Sequence, residues 1–411
     1  MNLNYGLNPE QQKIHDECVN WFRNSSSQVF EISGPAGSGK TYLISAILRT
    51  LGLQPQSFLA MAYTGQASIV MRSRGFTEAR SIHSSLYETV ELPLDEVDLR
   101  FGIRKKRTVF QKREFIDPNI RLFFIDEAYM VPEYMVKDIK NFGIKIIACG
   151  DSNQLPPVGD NPGFLVNYGV HRLTTIMRQS QNNPIIYLSD RAIKGLPIHS
   201  GNYGNKALVI NDDEFIPEMI NYADVIGCGT NRTRDLINAW VRQMAGFSYS
   251  QIPIIGERVI CRNNNWDLVS NGIALTNGLS GVVTSFPNAS SFDNQVFHIN
   301  FKPDLSNCMF YDVPLNFEYF TGSFERKQEL KEFSNRKYLQ GELFEFAYAL
   351  SVWLMQGSEY ANGIYVEEFM RPQIQKQLNY TAVTRFKNSF IWVKKKNKNL
   401  YLPNLNQIFN G

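Results

Sequence analysis

The chain has 411 residues, of which 43% are hydrophobic and 20% are charged, and its formal net charge is +3 at pH 7. These values are typical of a globular protein with two to four domains, and they exclude a disordered or fibrous chain. The small net charge also excludes a strongly polybasic protein, so any polyanion would have to bind at local patches.

Five cysteines are spread along the chain with no pair spaced as C-x-x-C, namely Cys18, Cys149, Cys228, Cys261 and Cys308. This spacing predicts reduced thiols and argues against a disulfide framework or a zinc site. The N-terminus lacks the basic stretch and apolar core of a signal peptide, and no apolar run is long enough to span a bilayer. We therefore expect a soluble, cytoplasmic protein that does not contact a membrane.

The first predicted strand and helix flank a glycine-rich loop. Residues 29–32 predict a buried strand, and residues 42–48 predict a helix. The loop matches G-x-x-x-x-G-K-[ST], in which backbone N–H groups surround a β-phosphate and the helix N-terminus adds a positive dipole. Lys40 is expected between the β- and γ-phosphates, and the Thr41 hydroxyl on Mg²⁺. The predicted nucleoside triphosphate site consists of Gly34, Pro35, Ala36, Gly37, Ser38, Gly39, Lys40 and Thr41.

Further apolar runs alternate with helical patterns, as in a parallel α/β sheet, at residues 57–62, 121–125 and 145–149. Asp126 and Glu127 directly follow the second of these runs. At a strand end beside a phosphate loop, Asp126 would hold Mg²⁺ and Glu127 would orient and deprotonate the attacking water. The charged stretch at 87–118 contains no run suited to this sheet, so we predict a hairpin insertion there.

The run at 145–149 is followed by Gly150-Asp151-Ser152-Asn153-Gln154-Leu155-Pro156-Pro157-Val158-Gly159. Together with the phosphate loop and residues 380–385, this segment resembles superfamily 1 helicases of the RecD and phage Dda type. The resemblance runs from about residue 7 to residue 390. It implies an α/β fold with two RecA-like parallel-sheet lobes, ATP and Mg²⁺ as cofactors, and 5′ to 3′ movement on single-stranded DNA.

The same resemblance assigns roles to further residues. Gln11 is expected to contact adenine, and Gln154 to sense the γ-phosphate. Arg178 and Arg385 are expected to reach the γ-phosphate as arginine fingers, and Glu359 is expected to contribute to the nucleotide site. The residues implied to contact DNA are Thr64, His83, Asn231, Ser351 and Trp353.

The later half of the chain predicts a second α/β lobe, with strands at 223–228, 363–366 and 390–393 and a helix at 233–245. Residues 254–341 instead contain turn signals and short alternating aromatic runs, which are typical of a small β-barrel. The resemblance implies that this insertion is SH3-like. The predicted domains are lobe 1A (1–86 and 119–175), insertion 1B (87–118), lobe 2A (176–253 and 342–411) and insertion 2B (254–341).

Residues 346–359 predict a helix that is apolar on nearly all sides, in a segment where the family carries a histidine and a basic residue. Ser351 keeps a hydroxyl, but Trp353 and Leu354 replace the phosphate-binding donors. Trp353 could stack on a base or lie in the core. Core packing is the more common fate of a tryptophan on an apolar helix.

Three functions remain open at this point. The resemblance favours a DNA helicase, with DNA forks and single-strand-binding or replication proteins as partners, acting as a monomer in a bacterial or phage-infected cell. A DNA-stimulated ATPase that mediates recombination or replication without processive unwinding would use the same residues. A phosphate-loop kinase would explain Lys40, Thr41 and Asp126 but would leave the second lobe without a role.

Overall fold

The computed structural model describes residues 6–92, 107–166, 171–175, 183–248, 251–287, 295–334 and 340–395. The described chain divides into two compact units, the first formed by residues 6–88 and 111–175 and the second by the rest. Each unit has its own largely parallel β-sheet. The predicted α/β class with two parallel-sheet lobes is confirmed.

The sheet of the first unit alternates with helices along the chain. Between residues 9 and 172 the elements are α1 (Pro9–Asn24), β1 (Val29–Ser33), α2 (Lys40–Thr50), β2 (Phe58–Ala62), α3 (Gly65–Ser73), β3 (Arg80–Ser81), α4 (Ile82–Leu86), β4 (Tyr87–Leu92), β5 (Arg107–Lys112), β6 (Leu122–Asp126), α5 (Glu133–Lys140), β7 (Lys145–Gly150) and β8 (His171–Arg172). Residues 89–92 and 107–110 of the hairpin β4–β5 belong to the second unit. Six strands are paired in parallel in the order β3-β2-β6-β7-β1-β8, and β4 pairs with β5 in a separate two-stranded sheet.

Strand β6 shows why this sheet forms. All of its residues are buried, and the neighbouring Phe123 and Phe124 pack into hydrophobic cores on opposite faces of the sheet. A strand covered on both faces is apolar throughout, which is the pattern seen in the sequence. The strand ends at Asp126, which therefore lies at the carboxyl edge of the sheet, where open α/β sheets bind ligands.

The second unit contains a six-stranded sheet interrupted by a β-rich insertion. Its elements are α6 (Pro184–Lys194), β9 (Gly201–Tyr203), β10 (Ala207–Asn211), β11 (Val225–Cys228), α7 (Asn231–Met244), β12 (Arg258–Cys261), β13 (Asn265–Ser270), β14 (Ile273–Leu275), β15 (Ser280–Ser285), β16 (Val296–Pro303), β17 (Phe310–Asn316), α8 (Phe317–Thr321), α9 (Phe324–Ser334), β18 (Phe344–Phe346), β19 (Ala349–Ser351), α10 (Val352–Met355), β20 (Tyr360–Val366), α11 (Pro372–Val383) and β21 (Phe386–Lys394). The main sheet has the order β19-β11-β20-β21-β10-β9, in which only β9 is antiparallel.

The insertion folds into an antiparallel sheet of five strands in the order β17-β16-β15-β12-β18. A buried charge cluster lies beside it. Glu345 is 3% exposed, and its carboxylate lies 2.7 Å from Arg234 and 3.1 Å from Arg262. The Tyr319 hydroxyl donates to the same carboxylate at 2.7 Å. Because α7, β12, α8 and β18 all contribute, the cluster joins the insertion to helix α7.

The helix predicted for residues 346–359 is wrong. Strands β18 and β19 occupy its first part, and only the single turn of α10 is helical. Strand β18 pairs with β12 and strand β19 with β11. Asn238 holds the turn between them, because its side-chain amide donates to the carbonyls of Phe346 and Ala349 and accepts from the Ala349 N–H. An apolar run buried on all sides suits a central strand as well as a helix, so periodicity could not separate the two.

No helix among the described residues is long and apolar enough to cross a membrane.

Candidate functional site

The phosphate loop connects the end of β1 to the start of α2. Gly37 and Gly39 both have φ of 80°, in the left-handed region that favours glycine. Gly39 is the N-cap residue of α2 and has no side-chain cap, so the N–H groups of the first helical turn stay available to an anion. Lys40 Nζ donates to the carbonyls of Gly34 at 2.7 Å and Pro35 at 3.0 Å. Its ammonium therefore lies over the loop.

The space inside the loop fits a phosphate. A Cβ atom on Gly34 would come within 2.8 Å of Ser38 Oγ and 2.9 Å of Leu173 Cβ, so only glycine fits there. Ser38 is 1% exposed, and its Oγ has no hydrogen-bond partner among the described residues. An unpartnered buried hydroxyl is unfavourable unless a ligand bonds to it. The loop residues therefore suit the phosphates of a nucleotide.

Two carboxylates lie at the carboxyl end of β6, as predicted. Burial and the Glu127 carboxylate raise the pKa of Asp126 to about 6, although Lys40 opposes the shift. Lys40 and Asp126 are therefore close enough to interact electrostatically. Glu127 has φ of 49°, an uncommon conformation for a residue with a side chain, and its N–H donates to Asp126 Oδ1 at 3.0 Å. Such strain is typical of functional sites.

The turn after β7 meets both of these segments. Gly150 accepts a hydrogen bond from the Gly34 N–H at 3.0 Å. A Cβ atom on Gly150 would lie 3.0 Å from the Ala128 N atom, just beyond the two carboxylates. Gln154 is 3% exposed, and its N–H donates to the carbonyl of Asp151. The structure thus brings the phosphate loop, the Asp126–Glu127 turn and the start of the Gln154 segment together.

Gln11 also reaches this loop. Its Nε2 donates to the carbonyl of Ser38 at 3.2 Å, while its Oε1 accepts from the Asn8 N–H in a capping box of α1. The neighbouring Glu10 is a residue that sequence reasoning missed. Its carboxylate accepts from the N–H and hydroxyl of Thr174, at 2.8 and 2.7 Å, and from the N–H of Thr175. Burial opposes the shift, but these hydrogen bonds lower the pKa of Glu10.

Of the two predicted arginine fingers, the structure describes one. Arg178 lies outside the described residues. Arg385 is 4% exposed, and its guanidinium donates to the carbonyls of Thr381 and Ser358 and to the Thr384 hydroxyl. Arg385 therefore has partners within its own unit, and its role at a γ-phosphate stays a prediction.

Glu359 lies just before β20 in the second unit. Its carboxylate forms an ion pair with Lys387 at 2.7 Å, in which the glutamate side chain is 15% exposed. This pair joins the start of β20 to β21. The contribution of Glu359 to a nucleotide site stays a prediction.

The predicted DNA-contacting residues of the first unit lie at the starts of two short helices. Thr64 caps α3 by accepting from the Ala67 N–H at 3.1 Å. His83, in α4, lies between two tyrosine rings, with centroids 6.3 Å from Tyr63 and 5.5 Å from Tyr87. Burial lowers the pKa of His83, so a neutral imidazole is favoured at pH 7. It could donate one hydrogen bond to a phosphate but would add no charge.

In the second unit the three predicted DNA contacts differ in exposure. Asn231 is exposed at the start of α7, and its Oδ1 accepts from Arg234 at 3.0 Å. Ser351 is 4% exposed at the N-cap of α10 and makes no capping hydrogen bond. Trp353 is half-buried, so it is not part of the closed core. Part of its ring is accessible, which agrees with either interpretation of this residue.

Glu368 supports the Asn231 turn and was also missed. This carboxylate is 7% exposed and accepts from the Thr230 N–H at 2.8 Å, from the Thr233 hydroxyl at 2.6 Å and from the Gly229 N–H. It thereby satisfies N–H groups at the start of α7. Carboxylates that directly follow the predicted strand at 363–366 were a signal that could have identified it.

Comparisons with known proteins agree with this site. Residues 6–200 match the sequence profile of a family described as AAA domain. The ATP-dependent DNA helicase dda of enterobacteria phage T4 is 23% identical over 258 residues, which cover 56% of this chain and 55% of dda. The ATP-dependent DNA helicase PIF7 of Trypanosoma brucei brucei is 29% identical over 173 residues, 37% of this chain and 15% of PIF7.

The crystal structure of Bacteroides Pif1 bound to single-stranded DNA is similar over 98% of this chain and 95% of Pif1, with a TM-score of 0.53 and 17% identity. This likeness shows that the chain shares the fold of Pif1. The resemblance found in the sequence is confirmed, and the two sheets are those of RecA-like lobes. The match to an AAA domain indicates nucleotide binding within residues 6–200. It spans between 15% and 55% of the length of the curated relatives it matches.

Proposed function

We propose that this protein is an ATP-dependent DNA helicase that moves 5′ to 3′ on single-stranded DNA and unwinds duplex DNA. The observation that carries the proposal is the phosphate loop beside Asp126 and Glu127 in a superfamily 1 fold. Two relatives are named ATP-dependent DNA helicases. A similar solved structure, with a TM-score of 0.52, shows the structural basis for DNA unwinding at forked double-stranded DNA by two coordinating Pif1 helicases.

The nucleotide in this proposal is ATP with Mg²⁺. Lys40 would exchange its two carbonyl partners for β- and γ-phosphate oxygens. Thr41 and Asp126 would hold Mg²⁺, which neutralises phosphate charge when bound. Glu127 would orient the attacking water and accept its proton.

Other residues would complete the nucleotide site. Gln11 would read adenine and Glu359 would support the nucleotide. Gln154 would sense the γ-phosphate, and Arg178 and Arg385 would neutralise its charge. Donors of this kind stabilise charge that develops in the transition state, so they act on the rate more than on ATP affinity.

DNA would contact Thr64, His83, Asn231, Ser351 and Trp353. Because His83 is neutral and Trp353 offers an accessible ring, hydrogen bonding and stacking would outweigh charge at these positions. The predicted domains 1A (1–86 and 119–175), 1B (87–118), 2A (176–253 and 342–411) and 2B (254–341) belong to the proposal. It also includes a monomer acting on DNA forks with single-strand-binding or replication proteins, in the cytoplasm of a bacterial or phage-infected cell.

The test combines ATP turnover with strand displacement. We expect single-stranded DNA to stimulate ATP turnover many-fold, because DNA would assemble the site. Duplexes with a 5′ single-stranded tail should be unwound, and those with a 3′ tail should not. If DNA stimulates ATP turnover but no strand is displaced, the result favours the recombination or replication mediator. If ATP turnover does not change when DNA is added, the result favours a kinase.

A further inference from the structure

A cavity of about 700 Å³ lies in the first unit, and no residue of the phosphate loop lines it. Its wall is formed by the start of β2, by α4 and by the segment that leads into β6. This volume is in the range of ligand-binding cavities in proteins. The cavity is therefore large enough for a nucleotide-sized group outside the ATP site.

Two arginines line this cavity, Arg80 and Arg113. Within the described part of the chain neither guanidinium forms an ion pair, and the Arg113 Nε atom is buried without a hydrogen-bond partner. Glu78 and Asp117 also line the cavity, but Asp117 accepts hydrogen bonds from Asn119 instead. A buried N–H group without a partner is unfavourable, and an anion would satisfy it. The two arginines therefore indicate an anionic ligand.

The other residues that line the cavity favour one class of anionic ligand. Phe115 lies at the rim and is 84% exposed, which is unusual for a phenylalanine. Phe58, Leu59 and Ile120 add apolar surface. Guanidinium groups bind phosphodiesters, and an exposed aromatic ring stacks on a base. An acidic peptide would satisfy the arginines but would leave the exposed ring without a role.

Position supports a nucleic acid as well. Ser84 and Ser85 line the cavity and directly follow His83 in α4. Both serine hydroxyls donate to the Ser81 carbonyl, and the Ser84 hydroxyl also accepts from the Ser81 hydroxyl, so a further donor could reach the Ser85 oxygen more readily. One turn of helix is only about 5 Å long, so a strand that contacts His83 would pass the mouth of the cavity.

We propose that this cavity is an accessory binding site for single-stranded DNA. Arg80 and Arg113 bind backbone phosphates, and Phe115 stacks on a base. The proposal rests on the proposed DNA helicase function, because it extends the DNA surface that includes His83. It adds residues that the family resemblance did not assign.

The experiment compares two double variants that remove the same charge. Arg80→Ala/Arg113→Ala removes the cavity arginines, and Arg49→Ala/Lys140→Ala removes two exposed cations of the first unit elsewhere. Fluorescence anisotropy would measure binding of labelled oligothymidylates of about 8 and about 20 nucleotides over a range of salt concentrations. We expect the cavity variant to lower the salt dependence (slope of log K against log[salt]) for the longer oligonucleotide by about 1.4. The control should leave this slope unchanged.

A third variant tests the aromatic ring. Phe115→Ala should weaken binding of the longer oligonucleotide about five-fold or more, and Phe115→Tyr should retain it. If wild type binds the longer oligonucleotide and all variants bind it equally well, the cavity is not a DNA site, although the helicase function stands. If wild type binds neither oligonucleotide, the proposed helicase function is itself contradicted. If the Arg80→Ala/Arg113→Ala variant loses binding to a labelled polyglutamate peptide but binds DNA as wild type does, the cavity is a site for an acidic protein segment and not for DNA.

Discussion

The phosphate loop and the charge cluster at Glu345 both concentrate polar groups, but the cluster pairs its charges internally, whereas the loop leaves the Ser38 hydroxyl without a hydrogen-bond partner among the described residues. Glu345 has Arg234, Arg262 and Tyr319 as partners. In the loop, Ser38 Oγ has no partner and α2 has no side-chain cap. Buried polar groups are normally hydrogen-bonded, and in the loop an anion could supply the missing partner because the first turn of α2 also offers N–H groups. The comparison distinguishes polar groups that stabilise the fold from polar groups that are available to a ligand.

Arg385 gives the hardest test of this comparison, because each of its three guanidinium nitrogens has a hydrogen-bond partner and yet the sequence predicts a catalytic role. We expect Arg385→Ala to lower ATP turnover by about 10³- to 10⁵-fold, since an arginine finger stabilises the charge of the transition state. Turnover per folded molecule is the quantity to measure, with ATP and DNA binding as separate readouts.

Arg242→Ala is the matched control for Arg385. Arg242 is fully buried and bonds to the carbonyls of Ser248 and Gln251 and to Glu257. Its loss should reduce the free energy of unfolding but not turnover per folded molecule. If Arg385→Ala behaves in the same way, with less than a ten-fold change in rate, Arg385 belongs with the residues that hold the fold.

Lys40 should show the next largest effect. Lys40→Ala should reduce ATP turnover about 100- to 1,000-fold, because it removes a donor to the phosphates. The free energy of unfolding should change little. Lys145→Ala is the control, since Lys145 Nζ also bonds to carbonyls in the first unit, those of Trp21, Ser25 and Ser27. Turnover retained by Lys40→Ala would remove the phosphate-loop assignment.

Glu345 should affect stability and not turnover. Glu345→Gln should lower the free energy of unfolding at pH 7 by about 3–5 kcal/mol, because it removes the carboxylate that pairs with buried Arg262 and leaves buried Arg234 with Asp235 alone. Urea denaturation would measure this change. Glu318→Gln is the control, since Glu318 is 56% exposed in its ion pair with Arg326. The control should change the same free energy by less than about 1 kcal/mol.

The pH dependence of the Glu345 variant has a definite sign. Burial alone would raise the pKa of Glu345, but Arg234, Arg262 and Lys327 lower it to about 2. An unfolded glutamate has a pKa of about 4.3, so the folded state gains its stabilisation above that pH. The difference between wild type and Glu345→Gln should therefore shrink as the pH falls below about 4 toward 2. A difference that stays constant would mean that Glu345 is not charged in the folded protein.

Much of this molecule could be predicted from its sequence. A strand that is buried on both faces appears in the sequence as a continuous apolar run. Because Asp126 ends such a run, the sequence alone predicts that it lies at the carboxyl edge of the sheet. The phosphate loop has a pattern of glycines that few other structures require. The resemblance to superfamily 1 helicases followed from motifs in a fixed order.

The rest depended on contacts between distant residues. Asn238 hydrogen-bonds to both ends of the turn between β18 and β19, and it lies more than 100 positions away along the chain. Glu10 and Glu368 bind backbone N–H groups of segments far from their own, which no local pattern reveals. The cavity at Arg113 likewise exists only once α4 and the start of β2 are placed together.

Gly150 constrains how this protein can change. Its carbonyl bonds to Gly34, and a methyl group on its Cα would meet the backbone at Ala128 and the side chain of Leu165. Three motifs separated by dozens of positions therefore share one point at which there is no spare volume. A substitution at Gly150 would therefore displace the backbone at Ala128 or the side chain of Leu165, next to the Asp126–Glu127 turn.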